Sequence, residues 1–396
     1  MIIRKTTAEE GKRVNELFAI AFELPAGDGP ADETPNPRVH HWAAFEDNTQ
    51  QMMSTFTISD FQFHFDGNSC KMGGIGGVAT LPQYRRKGGI RGCFQHALPD
   101  MFREGYDLSY LYPFSTAYYR KFGYECCVQK MMVSLNLQLL KPTAVEGEFM
   151  MCEADSPMVQ SVKTIDKHWE SHYNMMVIHQ DEDYKWLRET DPAGKQEFTY
   201  VYFSADHSPK AYTTFKKVDQ PDGRNLVCSR FCFIDREGFH GLMNLFKSLS
   251  ADHMLVKFSL PAFTSMEYLF PEWAMGAANW SIMNAGMVRV INVEKILKMA
   301  TYQGTGSVCV QIQDNHIEEN SGVYRIVFEN NKAVTVEKCQ ESPDAELSIA
   351  AFSSLISGTM DLDSAGSWMN GVKILKDNPC LKQIFYRKPM MIVDYF

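Results

Sequence analysis

Between Gly74 and Arg91 the sequence sets an apolar run (Gly74-Ile75-Gly76-Gly77-Val78-Ala79-Thr80), a turn at Leu81-Pro82 and a basic loop directly against a helical pattern. The loop holds Arg85, Arg86, Lys87, Gly88 and Gly89, and Ile90, Phe94, Ala97 and Leu98 then follow at helical spacing. A helix entered this way leaves its first backbone N–H groups unpaired, and its dipole adds partial positive charge there. Gly88 and Gly89 let the backbone approach a ligand, while Arg85, Arg86 and Lys87 add full charges. Such a corner suits a diphosphate. The plainer alternative is a solvated turn carrying three cations. The stretch has neither the Gly-Lys-Ser/Thr ending of a P-loop nor the Rossmann Gly-x-Gly-x-x-Gly spacing.

Strand and helix periods alternate through the whole chain of 396 residues, which is too long for one ordinary core. The expected fold is α/β (α+β) in three units. In residues 1–146, Ile2-Ile3-Arg4 reads as a strand. Thr7 and Glu10 form a capping box, and Val14, Leu17, Phe18, Ala21 and Phe22 make a helix face. Leu24 to Arg38 is a loop, part of it acidic. Trp42–Phe45 and Met52–Phe65 read as strands, Asp66-Gly67 as a hairpin turn into Ser69–Thr80, and Leu108–Tyr112 as a buried strand. Residues 147–286 repeat the strand–loop–helix plan, with strands at Phe198–Phe203, Ala211–Lys217 and Leu226–Ile234. There the loop carries Asp235 and Glu237, which repel a diphosphate. Residues 287–396 open with a strand and a capped helix, continue as antiparallel strands and stop on the apolar Ile392-Val393-Asp394-Tyr395-Phe396.

Composition narrows the function classes. A hydrophobic share of 45% and a charged share of 22% are those of a soluble globular protein, and no run is apolar for long enough to cross a bilayer. The first residues do not read as a signal peptide. Ten cysteines without a Cys-x-x-Cys pair fit neither a disulfide framework nor zinc, so reduced thiols, no metal and a cytoplasmic location are expected. The net charge of −9 argues against nucleic acid and favours a cationic small molecule.

Arg85-x-x-Gly88-x-Ile90 resembles the coenzyme A loop of the GNAT superfamily of N-acetyltransferases, with Ile90 departing from the usual small residue. Tyr119-Arg120-Lys121-Phe122-Gly123-Tyr124 is similar to that superfamily's Tyr-x-x-Phe-Gly-Tyr passage beside the thioester. With a second, degenerate GNAT-like unit, a third unit resembling a sterol-carrier fold and the apolar end, the whole chain resembles the Eis (enhanced intracellular survival) family. The resemblance implies two tandem GNAT-like domains of mixed sheets with flanking helices, plus a C-terminal sterol-carrier-like α/β domain. It implies acetyl-CoA as cosubstrate, with the backbone of Val78, Ala79 and Thr80 pairing with the pantetheine. Arg85, Arg86, Lys87, Gly88, Gly89, Ile90 and Arg91 would hold the diphosphate, and Phe114 and Ser115 would be further contacts. Tyr119 would be the general acid and the carboxylate of the last residue, Phe396, the general base.

The resemblance also implies direct transfer to a primary amine of an aminoglycoside, polyamine or lysine side chain, and a homo-oligomer, by family a hexamer. Neither nucleic acid nor a membrane is an expected partner. The chemistry fits, because a tyrosine can protonate a departing thiolate and an α-carboxylate in an apolar mouth gains basicity. Tyr118 and Tyr124 are rivals to Tyr119 among 17 tyrosines, Tyr110 and Tyr112 read as packing, and His40 and His41 as structural or surface residues. Two other classes stay open: a longer-chain acyltransferase of the N-myristoyltransferase type, and a hydrophobic-ligand carrier acting through the third unit.

Overall fold

The computed structural model describes residues 1–24, 36–153, 157–188, 190–221, 223–269 and 276–395. The chain divides into two compact units. One comprises residues 1–127 and 285–388 together with Tyr395; the other comprises residues 128–284 and 389–394. Among the described residues no helix is long and apolar enough to cross a membrane.

The first unit holds two sheets. Its N-terminal sheet runs in the order β1 (Ile2–Lys5), β2 (Val39–Phe45), β3 (Met52–Phe65), β4 (Asn68–Thr80), β5 (Leu108–Leu111), then the end of β12 (Ala278–Val290). All neighbours are antiparallel except β4 and β5. The β3–β4 hairpin turns on Asp66 (φ 48°) and Gly67 (φ 81°), two left-handed residues that match the twist of the strands.

Helix α1 (Gly11–Phe22) buries Val14 and Leu17 against Phe45, Met53 and Ala79. Phe22, expected on that face, is instead 53% exposed, because the helix ends there in a left-handed Glu23. Helix α2 (Gly89–Arg103) buries Ile90, Cys93, Phe94, Ala97, Leu98 and Met101, the 3.6-residue stripe, against Phe56 and Ile58 of β3. Helix α3 (Thr116–Arg120) follows β5 and precedes β6 (Glu125–Asn136).

The second sheet of this unit runs β15 (Lys332–Cys339), β14 (Gly322–Glu329), β13 (Gly306–Gln313), β16 (Ala345–Ser348), β17 (Val372–Ile374), with β13 and β16 parallel. Helix α8 (Val293–Met299), capped by Asn292, contacts β15. Helices α9 (Ile349–Ser357), α10 (Leu362–Trp368) and α11 (Cys380–Ile384) complete it. Arg289, fully buried on β12, joins the two sheets: both Asp314 oxygens accept from its Nη2 at 2.9 Å. Gly123 (φ 82°) is a glycine for the same reason, since a Cβ there would lie 2.2 Å from Arg289 Nη1.

The second unit is a mixed sheet ordered β6, β11 (Leu255–Pro261), β10 (Gly223–Phe233), β9 (Pro209–Gln220), β8 (Glu197–Ser204), β7 (Gly147–Met151). Helix α7 (Arg236–Ser248) buries Phe239, Leu242 and Phe246 on it. Helix α4 (Val159–His172) buries Val162, Ile165 and Trp169 with Met391 and Val393 of the C-terminal segment, and α5 (Lys185–Arg188) and α6 (Pro192–Lys195) are single turns.

That segment is fixed by backbone bonds from Asn174 N to Pro389 O (2.9 Å) and from Met391 N to Asn174 O (3.0 Å). Asp394 Oδ1 then meets Arg230 Nη2 at 2.8 Å and His179 Nε2 at 3.0 Å, and Glu170 meets His179 Nδ1 at 2.9 Å. Burial alone would lower the His179 pKa, but Asp394 and Glu170 outweigh it and hold it up at about 10. Burial would likewise raise Asp394, yet His179 and Arg230 hold it down at about 2.

Candidate active site

The register of β4 creates an opening. Its parallel pairing with β5 stops at Ile75–Leu111, while its pairing with β3 continues to Thr80. Between these points Gly77 and Val78 together oppose Phe56, a β-bulge that bends the strand. Gly77 takes φ 56°, and a Cβ there would strike the Phe18 ring of α1 at 2.5 Å. Past Ile75, then, Val78, Ala79 and Thr80 carry backbone groups that β5 does not pair. Ala79 turns its side chain into the core and Thr80 Oγ1 donates to Ser54 Oγ at 3.0 Å, so what they offer on the β5 side is main chain.

The loop after β4 is anchored by Tyr84, whose hydroxyl reaches Gln51 at 2.8 Å. Arg86 (φ 66°) and Gly88 (φ 87°) are both left-handed, a conformation costly for a side-chain-bearing residue and frequent at functional corners. Gly88 is the N-cap of α2, and no side chain caps this helix. Its first internal bond is Gly92 N to Gly88 O, which leaves the N–H groups of Gly89, Ile90 and Arg91 without intrahelical partners. Arg85, Arg86, Lys87 and Arg91 are all exposed around this end, and among the described residues none of them forms an ion pair. Lys87 Nζ lies over the Tyr84 ring at 4.8 Å.

Two of the expected glycine and cofactor roles change in detail. Gly89 does not open the backbone to a ligand: a Cβ there would meet Ser54 Oγ at 2.4 Å, so its smallness lets α2 sit against β3. Ile90 is buried in the core, which leaves its N–H as the group it can offer. That is why a bulky residue is tolerated where small ones are usual.

Tyr119 on α3 is 2% exposed, with its ring against Phe94 of α2 at 6.2 Å, Phe114 at 5.3 Å and Tyr124 at 6.4 Å. Val78 and Tyr118 pack on the same cluster, so the bulged strand, α2 and the tyrosine share one wall. The Tyr119 hydroxyl makes no hydrogen bond among the described residues, and burial holds its pKa well above the ordinary value.

Its rivals are placed differently. Tyr124 is fully buried with its hydroxyl on Ser109 Oγ at 2.7 Å, and burial pushes it to about 12. Tyr118 is half-buried; burial raises its pKa while Arg91 opposes the shift. Ser115 caps α3, accepting from Tyr118 N, and Phe114 stands 73% exposed beside it. Tyr110 is buried with its hydroxyl on Ala285 O, and Tyr112 stacks on Tyr395 at 4.7 Å. His41 bonds Thr57 at 3.0 Å and His40 faces Asp60 at 3.6 Å, which are structural contacts. Phe396 lies outside the described residues, as do residues 25–35, on which most of the acidic Glu23–Glu33 stretch falls.

In the second unit the matching helix end is closed. Asp235 caps α7 by accepting from Gly238 N at 2.9 Å and pairs with Lys210 at 2.8 Å. A cleft of about 600 Å³ beside it is lined by Glu146, Asp206 and Glu237 as well as by Lys210 and Arg236. Carboxylates there oppose an anionic ligand.

Two stretches of the chain match known protein families. Residues 2–127 match the acetyltransferase (GNAT) domain, and residues 293–373 match the sterol carrier protein domain. No curated protein sequence gives a match. A GCN5-related N-acetyltransferase from Anabaena variabilis superposes with a TM-score of 0.85 at 18% identity, covering 100% of both chains. A probable N-acyltransferase from Enterococcus faecalis gives 0.83 at 21%, covering 100% of this chain and 99% of its own. Eis1 from Mycobacterium abscessus gives 0.80 at 16%, covering 100% of both. The chain is thus Eis-like in fold, a GNAT acetyltransferase domain followed in one polypeptide by a sterol carrier protein domain.

Proposed function

We propose that the protein transfers the acetyl group of acetyl-CoA to a primary amine of a cationic acceptor, an aminoglycoside, a polyamine or a lysine side chain, in a ternary complex. The observation that carries this reading is the uncapped N-terminus of α2, ringed by four unpaired cations beside the unpaired edge of β4. Diphosphate and pantetheine are the two parts of coenzyme A that such an arrangement suits. Arg85, Arg86, Lys87 and Arg91, with the N–H groups of Gly88 to Arg91, take the diphosphate. Val78 to Thr80 pair with the pantetheine, and Phe114 and Ser115 border it.

The amine nitrogen attacks the thioester carbonyl, the C–S bond breaks, and the thiolate takes the Tyr119 proton. A tyrosine whose pKa is raised by burial stays protonated at any physiological pH, as an acid must. The amine's proton goes to the carboxylate of Phe396. Support for that assignment is the stacking of Tyr395, the preceding residue, on Tyr112 at the end of β5. We assign the three-part division 1–146, 147–286 and 287–396 to this scheme, with the middle part lacking cofactor. A homo-oligomer, a hexamer by family resemblance, is supported by the exposure of Trp280, Ile282 and Met283 on one strand, and light scattering tests it. The primary test measures acetyl-CoA binding by calorimetry and thiol release with a polyamine or aminoglycoside acceptor. Absence of acetyl-CoA binding overturns the reading; binding without turnover for any amine overturns the acceptor class.

A further inference from the structure

On the second sheet of the first unit, Cys309 of β13 and Cys339 at the end of β15 are separated by the whole of β14 in sequence and in space. The Cys309 thiol, the Cys339 thiol and a Glu341 carboxylate oxygen nevertheless lie within 4.8 Å of one another. Cys309 Sγ is 3.6 Å from Glu341 Oε2. The other oxygen, Oε1, faces Arg325 Nη1 of β14 at 3.4 Å. The strand that carries Cys309 is held in place locally, since its own N–H donates to the buried Asp344 Oδ2 at 2.9 Å. Cys309 is buried, Cys339 half-buried and Glu341 exposed, so the group has a route to solvent. Among the described residues no other group of three His, Cys, Asp or Glu donors comes together in this way.

We propose that Cys309, Cys339 and Glu341 form a zinc site, with the fourth position of the ion open to water. A tetrahedral ion with Zn–S of about 2.3 Å and Zn–O of about 2.0 Å sets an S···O edge of about 3.5 Å and an S···S edge of about 3.8 Å. The Cys309–Glu341 edge already has that length; from within 4.8 Å the S···S edge needs to close by at most about 1 Å and the Cys339–Glu341 edge by at most about 1.3 Å. Charge also balances. Two thiolates and a carboxylate exceed the +2 of the ion by one negative charge, and Arg325 supplies the compensating positive one. Without an ion, burial pushes the Cys309 thiol up to about 12, so binding must displace its proton. Two sulfurs favour a soft or borderline ion over magnesium or calcium. The site would pin the end of β15 to β13 across β14. It is independent of the acetyl-transfer reading.

The test titrates the reduced, metal-free full chain with Co²⁺ under anaerobic conditions. One equivalent should bind with sulfur-to-cobalt charge-transfer absorption and tetrahedral ligand-field bands, and be displaced by Zn²⁺. Cys339→Ser, at a half-buried strand end where folding is secure, should abolish or sharply weaken the sulfur band. Cys309→Ser should do the same, Glu341→Gln should lower the affinity, and Cys380→Ser should change nothing. A reduced protein with no sulfur-to-metal band at stoichiometric Co²⁺, or a band that survives Cys339→Ser, overturns the proposal. So does a pair that only forms a Cys309–Cys339 disulfide on oxidation and takes up no ion when reduced.

Discussion

The β4-to-α2 corner and the β10-to-α7 corner share one plan and differ in what sits at the helix end. Each begins with a strand bulged against its hairpin partner, at Gly77-Val78 in β4 and at Ser229 in β10. Each ends in a helix packed on its sheet, followed by a strand parallel to the first. In the first corner the cap is a bare Gly88 with cations around it; in the second an Asp235 side chain already occupies the Gly238 N–H, one of the groups that a phosphate would use. The passages after the parallel strands diverge in the same sense. Phe114-Ser115 leads to a buried Tyr119, whereas Phe263-Thr264 leads to a short turn with Tyr268 at 76% exposure. Backbone architecture and local chemistry are therefore separable: the bulge and the parallel strand are common to both corners, and what differs is the cap and a few charges, on which the proposed diphosphate site rests.

The sharpest way to break this contrast is at the tyrosines. If Tyr119 is the acid, Tyr119→Phe should lower kcat by about 10²-fold or more while acetyl-CoA still binds, and Tyr268→Phe should leave kcat unchanged. Equal effects, read in steady-state thiol release, would remove the distinction. Extending the chain by two residues after Phe396 moves the carboxylate and replaces it by an amide; a misplacement of that size costs about 10²-fold. Phe396→Leu, which keeps the carboxylate, should retain most activity, and a tagged enzyme as fast as the untagged one ends the assignment.

The cations come next in size. Loss of one charge-assisted contact in Arg86→Ala should cost about 1.5–3 kcal/mol, tenfold or more in acetyl-CoA affinity by calorimetry. Arg236→Ala, at the first residue of α7, should leave that affinity alone. A matched loss in both variants would mean that the second corner also binds the cofactor.

Much of the first corner was legible because its signals are local. A strand period, a Pro turn, a Gly pair and a helical stripe occur within 18 residues, and the β3–β4 hairpin turn is written in Asp66-Gly67. What escaped depended on register or on distant partners. Nothing around Gly89 in sequence tells that its missing Cβ faces Ser54, and only the pairing of β4 with β3 reveals the bulge at Gly77. Gly123 reads as part of a motif, but its physical cause is Arg289, 166 positions later. Cys309 and Cys339 have no metal spacing in sequence because three strands of register bring them together. The apolar end is tied down by Asp394, a polar residue that a hydrophobic reading passes over.

That tie gives a pH test of the second unit's structural character. His179 is held protonated to about pH 10, so its contribution is complete below its unfolded pKa of about 6.5 and is lost as pH rises through 10. Asp394, held down at about 2, contributes above its unfolded value of about 3.9 and loses its contribution only as pH falls toward 2. The thermal midpoint should therefore decline between about pH 6.5 and 10, and His179→Gln should flatten that decline. A wild-type midpoint that is level over this range contradicts a charged clamp.

The smallest expected effect tests the cap that closes the second corner. Asp235→Ala removes the acceptor for the Gly238 N–H and the partner of Lys210, and replacing an N-cap of this kind costs about 1 kcal/mol. Asp235→Asn keeps an acceptor oxygen and should recover most of that loss, because the cap bond outweighs a partly exposed ion pair. Neither change should create acetyl-CoA binding: Glu146, Asp206 and Glu237 still line the cleft, and no cluster of free cations replaces the lost carboxylate. Denaturation midpoints order the variants as wild type, Asn, then Ala. If Asp235→Ala instead gains measurable affinity for acetyl-CoA, the cap alone was excluding the ligand, and the two corners differ by one side chain rather than by a field of charges.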